Sequence, residues 1–429
     1  MKKFILVFLL FTGLFSNATA QNIETLLFEL PDVSFVKVEG NDVVYELRIK
    51  QPLDHNDVTK GYFHQRVFLK HVGFDNPMVI VTQGYSADRL YPNELTDLVN
   101  GNQLEVEHRF FGKSLPDSIN YNYLNLEQAT ADLHHINELF KTIYKHKWLS
   151  TGISKGGATT IFYRYLYPYD VDVSVPYVAP INREFEDQRL YDFLNTKGSD
   201  DCRKKIFDLQ RRILSSREEV LPLFKMYSKG ANLKFTYLTF EEAFEYTVLE
   251  FPFSFWQYGH DCSKIPSDSA SLLDATEYLI SISNISFFSD KSMDYMSPHY
   301  YQSAQQMGYY GYETDKFKDL LKSIPSKPHA AFVPNKIPVK FDGTLLKKIN
   351  KWLPKNKEEF IYINGDLDTW SATAVPPNYG KNSIYFFIKG MHHGSARIKN
   401  MPIKDQAELI YTLEKWLDIK IDAKLRTSK

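Results

Sequence analysis

The chain has 429 residues, more than an ordinary single domain holds, which predicts one large domain or a core carrying a substantial insertion. Lys and Arg number 51 against 52 Asp and Glu, a formal net charge of -1, which removes the electrostatic reason to expect a nucleic-acid or anionic-membrane partner. At 43% hydrophobic and 24% charged, with no biased repeat, the composition is globular, and the 15% of aromatic residues predict a large aromatic core.

Residues 1–20 differ from the rest. Lys2 and Lys3 precede an almost unbroken apolar run from Phe4 to Phe15, and Ala18-Thr19-Ala20 supplies small residues at a cleavage position. This is the layout of a secretory signal peptide cleaved after Ala20, and it predicts a secreted or periplasmic protein. The run is too short to span a bilayer, and no other stretch reaches the roughly 18 apolar residues a span needs, so no stable membrane insertion is expected. Cys202 and Cys262 are the two cysteines, and in an exported chain they are expected to pair, the alternative being two buried free thiols.

In the mature chain, residues 33–50 alternate between apolar and polar, as early strands do, and so do residues 64–72. Residues 77–82 form a short solid apolar run, as in a strand buried on both faces, and end in the loop Gln83-Gly84-Tyr85-Ser86. Another strand is expected at 103–108. Leu133, Ile136, Phe140 and Ile143 recur at helical spacing. Residues 148–151 read as a strand, 158–167 as a helix ended by Pro168, and 171–178 as a buried strand. The alternation pauses from 183 to 345, a stretch rich in charged and aromatic residues with helices expected at 204–215 and 241–249. Strands return at 360–363 and 383–388, before a closing helix at 404–417. Alternating strands and helices imply a mainly parallel sheet covered on both faces. The expected organisation is a signal peptide (1–20), a first core part (21–182), an inserted, mostly helical cap (183–345) and a second core part (346–429).

Gly152-Ile153-Ser154-Lys155-Gly156 is a G-x-S-x-G motif between an expected strand and an expected helix. In an α/β-hydrolase fold that is the nucleophile elbow: a strained turn lifts the serine hydroxyl above the sheet. A serine hydroxyl needs a base to take its proton, and in this fold the partners follow in the order serine, acid, histidine. Asp368 leads directly into Trp370 and is preferred as the acid, with Asp366 left to shape the turn. His393, which precedes Gly394, is preferred to His392 as the base. The oxyanion needs two donors. Lys155 N–H directly follows the serine, and Tyr85 N–H lies on the loop after the expected third core strand, unless Gly84 marks a simple turn.

Several stretches together resemble one family. They are Gln51 to His55, Phe63 to Phe68, Glu107 to Ser114, Thr151 to Gly157, Tyr165 to Pro180 and Asp368 to Thr373. The chain resembles the secreted tripeptidyl aminopeptidases that include the PS-10 peptidase, a family related to the prolyl carboxypeptidase and dipeptidyl-peptidase II group. That resemblance implies an α/β-hydrolase core, a helical cap, a Ser-Asp-His triad and removal of short peptides from free N-termini. Thr369 departs from the proline common in relatives.

An aminopeptidase must hold a substrate ammonium, for which a carboxylate is the natural partner. Glu107 is a candidate, although an internal ion pair within Glu107-His108-Arg109 is the favoured alternative. Glu241 and Glu242 in the cap are rivals, and Trp370 is a candidate substrate contact. The expected activity is that of a serine exopeptidase acting on peptides through an acyl-enzyme on Ser154, with no metal or organic cofactor. An esterase or lipase on the same scaffold, or a non-catalytic binding protein, are the competing readings. Oligomeric state is left open.

Overall fold

A computed structural model describes residues 22–40, 42–324, 332–333 and 337–422; the expected signal peptide lies outside them. Nine strands form one sheet: β1 (Val33–Val38), β2 (Val43–Pro52), β3 (Tyr62–His71), β4 (Met78–Thr82), β5 (Asn102–Val106), β6 (Trp148–Ile153), β7 (Val173–Tyr177), β8 (Glu359–Gly365) and β9 (Ser383–Ile388). Their order is β1-β2-β3-β5-β4-β6-β7-β8-β9. The strands from β1 to β3 pair antiparallel, as does β3 with β5; every pair from β5 to β9 is parallel.

The central strand shows why its sequence reads as a solid apolar run. Val79 and Val81 face a core shared with Leu149, Val173, Val175, Ile361, Ile363 and the closing helix Ile403–Leu417. Met78 and Ile80 face the opposite core, shared with Leu47, Val67, Leu69 and the helix Leu126–Lys141. Both faces are covered, so no position on β4 is left for a polar side chain other than Thr82 at its end. Thr82 Oγ1 is itself satisfied, 2.8 Å from Gly156 O and 2.7 Å from Thr160 Oγ1.

After β4 the chain turns to one side to make β5, and then returns to the other side to make β6. The loops leaving β4 and β6 therefore diverge, and a crevice opens at the carboxyl ends of these strands, the place where open α/β sheets bind ligands. Gly84-Tyr85 lies on the first loop and Ser154 on the second.

Between β7 and β8, no strand occurs among the described residues. The chain forms helices Gln188–Thr196, Asp200–Ser215, Arg217–Gly230, Phe240–Gln257, Leu272–Ile282 and Asp290–Gln302, which share a separate core. That core accounts for much of the aromatic content: Phe244, Tyr246, Phe251, Phe255, Phe288 and Tyr300 are all buried in it. Phe240–Gln257 is the central helix and is apolar on nearly every side. Pro252 inside it cannot donate to the carbonyl of Val248, which instead accepts from Gln210 Nε2 at 2.8 Å. Helix Thr344–Trp352 returns to the sheet, where Leu346 and Ile349 pack with Phe360 and Ala158. No helix of the described residues is long and apolar enough to cross a membrane.

Cys202 and Cys262 are joined, with their Cα atoms 5.4 Å apart at a sequence separation of 60. The bond ties the start of helix Asp200–Ser215 to the segment that follows Phe240–Gln257. By the chain-entropy relation, a loop of that length contributes about 4 kcal/mol. Replacing both cysteines by alanine is therefore expected to lower the unfolding free energy by about that amount, read from denaturant unfolding of the oxidised and the substituted proteins.

Candidate active site

Ser154 stands between β6 and the helix Lys155–Leu166, with φ of 58° and ψ of -123°, a backbone conformation that a residue with a side chain adopts only under constraint. The constraint is visible on both sides. Ser154 N–H donates to Tyr177 O at 2.9 Å, and Ser154 O accepts from Ala158 N–H at 2.9 Å. The turn is tight enough that a side chain at Gly152 would place its Cβ 2.5 Å from the Gly156 carbonyl carbon. Gly84 is needed for a second close approach: its Cβ would fall 2.7 Å from Lys155 Cβ and 2.8 Å from Gly156 N. The two glycines let the β4 loop lie directly against the first turn of the helix. The structure thus brings Tyr85 and Lys155, the two expected oxyanion donors, to neighbouring turns beside Ser154.

Asp368 follows β8 and begins the short 3-10 turn Thr369–Thr373, where its Oδ1 accepts from Trp370 N–H at 3.1 Å. Its Oδ2 lies 2.7 Å from His393 Nδ1, and the carboxylate is fully buried. The main chain of His393 is fixed as well, its N–H donating to Gln257 O at 3.0 Å, at the end of the central helix of the insertion. Asp366 is occupied elsewhere. It accepts from Gly390 N–H at 2.6 Å and pairs with Lys197 Nζ at 3.6 Å, which ties the segment leaving β8 to the one leaving β9 and to the insertion. His392 Nδ1 accepts from Gly394 N–H at 3.2 Å, and burial lowers the imidazole pKa below its ordinary value. Of the paired candidates, Asp368 and His393 are the two in hydrogen-bond contact. Thr369, the departure from proline, donates through Oγ1 to Phe253 O at 2.9 Å and so links the Asp368 turn to the insertion.

Ser154 and His393 line one cavity of about 590 Å³ between the sheet and the helical insertion. Trp370 lines it too, in ring contact with Phe253 and Tyr310 at 5.1 and 5.5 Å between centroids. Tyr85 and His299 form part of another wall, with ring centroids 5.6 Å apart. A carboxylate lines the cavity as well, and it is Glu250, from the central helix of the insertion. Glu250 accepts from Ser254 Oγ and Tyr310 OH at 2.8 Å and from Tyr312 OH at 3.0 Å. Burial pushes its pKa up to about 7, against the opposing pull of those three donors.

The structure corrects the substrate role considered for Glu107. Its carboxylate is fully buried away from the cavity and is engaged on both oxygens, by the Arg66 guanidinium, by Ala87 and Lys113 N–H at 2.8 Å and by Ser114 Oγ at 2.8 Å. A carboxylate with its acceptor sites filled by the protein has none to offer a ligand. Glu241 and Glu242 are also placed elsewhere. Both lie in the first turn of helix Phe240–Gln257, where Glu242 closes a capping box with Thr239. The cavity carboxylate comes from the same helix two turns further on. Its sequence signal is a lone acid within Val248-Leu249-Glu250-Phe251-Pro252-Phe253, where an unneeded charge would be costly to bury.

Lys155 holds a second surprise. The sequence points only to its backbone N–H, yet its side chain is buried, with Nζ donating to Gly84 O at 2.7 Å.

The sheet order, the crevice and a serine held on a strained strand-to-helix turn define the α/β-hydrolase fold and place the chain among serine hydrolases. The chain belongs to the PS-10 peptidase S37 family, whose profile matches residues 16–424, and it is accordingly a serine peptidase. It is 28% identical over 423 residues to the prolyl tri/tetrapeptidyl aminopeptidase of Streptomyces mobaraensis, covering 96% of this chain and 88% of that one. A probable serine protease, EDA2 of Arabidopsis thaliana, is 26% identical over 231 residues, covering 46% of each chain. Among solved structures, the proline iminopeptidase of Mycobacterium smegmatis is similar with a TM-score of 0.42 and 11% identity, covering 86% of this chain and 98% of that one.

Proposed function

We propose that the protein is an exported serine exopeptidase that releases short peptides, chiefly tripeptides, from free N-termini. One observation carries this reading: the cavity that holds Ser154 and His393 also holds the carboxylate of Glu250. A buried carboxylate in the cavity wall suits a substrate ammonium, and a cavity roofed by the insertion admits a chain end rather than the middle of a folded protein. The similarity to a tri/tetrapeptidyl aminopeptidase supports the product length, and that relative's prolyl specificity suits the wall of Trp370, Phe253 and Tyr310. Export is supported by the pattern of residues 2–20 and by the Cys202–Cys262 disulfide, which belongs to an oxidising compartment.

In this reading Ser154 Oγ attacks the scissile carbonyl carbon while its proton passes to His393 Nε2. Asp368 holds the proton on Nδ1 and stabilises the imidazolium that forms. The negative oxygen of the tetrahedral intermediate is met by the N–H groups of Lys155 and Tyr85. Collapse breaks the C–N bond, and the imidazolium gives its proton to the leaving amine. Water then attacks the acyl-enzyme as His393 takes one of its protons, and collapse breaks the ester C–O bond while His393 returns that proton to Ser154 Oγ, freeing the short peptide and regenerating the serine.

Glu250→Gln tests the assignment. The substitution is expected to lower kcat/KM for a free N-terminal peptide on the order of 100-fold, while leaving the N-acetylated peptide unchanged. The pH dependence has a defined sign. Glu250 carries charge only above about 7, so the ratio of kcat/KM for free over acetylated peptide falls as pH drops through that value. It also falls above about pH 8, where the substrate amine loses its proton, so the ratio peaks between the two. Taking the ratio cancels groups that act on both substrates. Equal turnover of free and acetylated peptides by the unmodified enzyme would remove the aminopeptidase reading.

A further inference from the structure

The Lys155 side chain is 2% exposed, and its immediate surroundings are apolar or neutral. Burial alone pushes its ammonium well below the ordinary lysine value, with no carboxylate near enough to oppose the shift. His108 and His299 are held well below the ordinary histidine value by burial first and by the Lys155 charge second. A cation without a counter-ion is costly to bury, so its contacts should explain its presence.

Those contacts converge on one peptide unit. Nζ donates to Gly84 O at 2.7 Å, and it lies over the rings of Phe111 and Tyr85, 5.0 and 5.4 Å from their centroids. Gly84 O and Tyr85 N–H belong to the same trans peptide, so they point in opposite directions from one plane. Holding the carbonyl therefore fixes the direction of the N–H. On the other side of the residue, Tyr85 O accepts from His108 N–H at 3.1 Å, so the following peptide is fixed as well.

We propose that the Lys155 side chain is a positioning residue for the oxyanion site: by gripping the Gly84 carbonyl and the Tyr85 ring, it keeps the Tyr85 N–H aimed at the oxygen that becomes negative. Both donors then depend on one residue, the first through the backbone of Lys155 and the second through its side chain. The proposal rests on Ser154 being the nucleophile.

Lys155→Met keeps the length and apolar packing of the stem and removes the donor. Its kcat is expected to fall on the order of 100-fold with KM within about three-fold of the unmodified enzyme. Affinity for a peptide boronate, whose tetrahedral adduct places an oxygen at the same donors, should fall in parallel with kcat. Phe111→Leu removes one face of the cage and leaves Lys155 in place. It should carry the same signature at about ten-fold, and it serves if Lys155→Met does not fold. A folded Lys155→Met enzyme with kcat and boronate affinity unchanged, or one altered in KM alone, overturns the proposal. So does a Phe111→Leu enzyme with unchanged kcat where it is the only variant that folds. Labelling of the unmodified enzyme by a fluorophosphonate separates the two levels. Absence of label at Ser154 overturns the nucleophile assignment and this proposal with it, whereas a labelled enzyme indifferent to Lys155→Met overturns this proposal alone.

Discussion

Ser154→Ala is expected to lower kcat on peptide substrates by about a million-fold while leaving the protein folded. The size of the effect follows from the loss of the atom that forms the acyl-enzyme, since the remaining groups can then act only on water. KM should change little, because the cavity walls proposed to hold the peptide, Glu250 and Trp370 among them, are untouched. Stability should stay within about 1 kcal/mol, since alanine at a φ of 58° carries the same backbone constraint as serine and the N–H and carbonyl bonds to Tyr177 and Ala158 remain. Residual turnover within a hundred-fold of the unmodified enzyme would place the nucleophile elsewhere.

Asp368→Asn should be the next most damaging change, lowering kcat by about ten thousand-fold. The buried carboxylate accepts from His393 Nδ1 and so selects the tautomer with its proton there. An asparagine amide turned towards Nδ1 donates instead. The proton then sits on Nε2, and the imidazole cannot take one from Ser154. Asp366→Asn is the matched control. That carboxylate braces Gly390 and Lys197 rather than His393, so its loss is expected to cost about 1 kcal/mol of stability and only a few-fold in rate. If the two variants lose activity equally, the assignment of Asp368 fails.

The strands were legible because each carries its own signal over a handful of residues. Residues 77–82 read as a strand buried on both faces, and β4 has a core on either side. The serine turn was legible for a related reason: Gly152, Ser154 and Gly156 are neighbours in sequence, so the strain and the close approach that relieves it are encoded in one motif. Glu250 was not legible, because its exposure to the cavity depends on how helix Phe240–Gln257 is rotated. That helix is apolar on nearly all sides, so its sequence has no polar face from which to infer the rotation. In sequence, Lys155 marks only a backbone donor beside the serine, since a lysine in a turn is normally solvated. Its partner is a carbonyl 71 residues earlier in the chain, brought near only because β4 and β6 pair side by side in the sheet. The Glu107 alternatives split the same way. The sequence suggests an internal ion pair within Glu107-His108-Arg109, but the partner is Arg66, on the neighbouring β3.

The most direct test of the account is to incubate the purified enzyme with matched peptides, N-terminally free and N-acetylated, and to identify the products by mass spectrometry. The account predicts release of tripeptides from the free peptides and release on the order of 100-fold slower from the acetylated ones. Cleavage of both at internal bonds, or removal of residues from the carboxyl end, would contradict it.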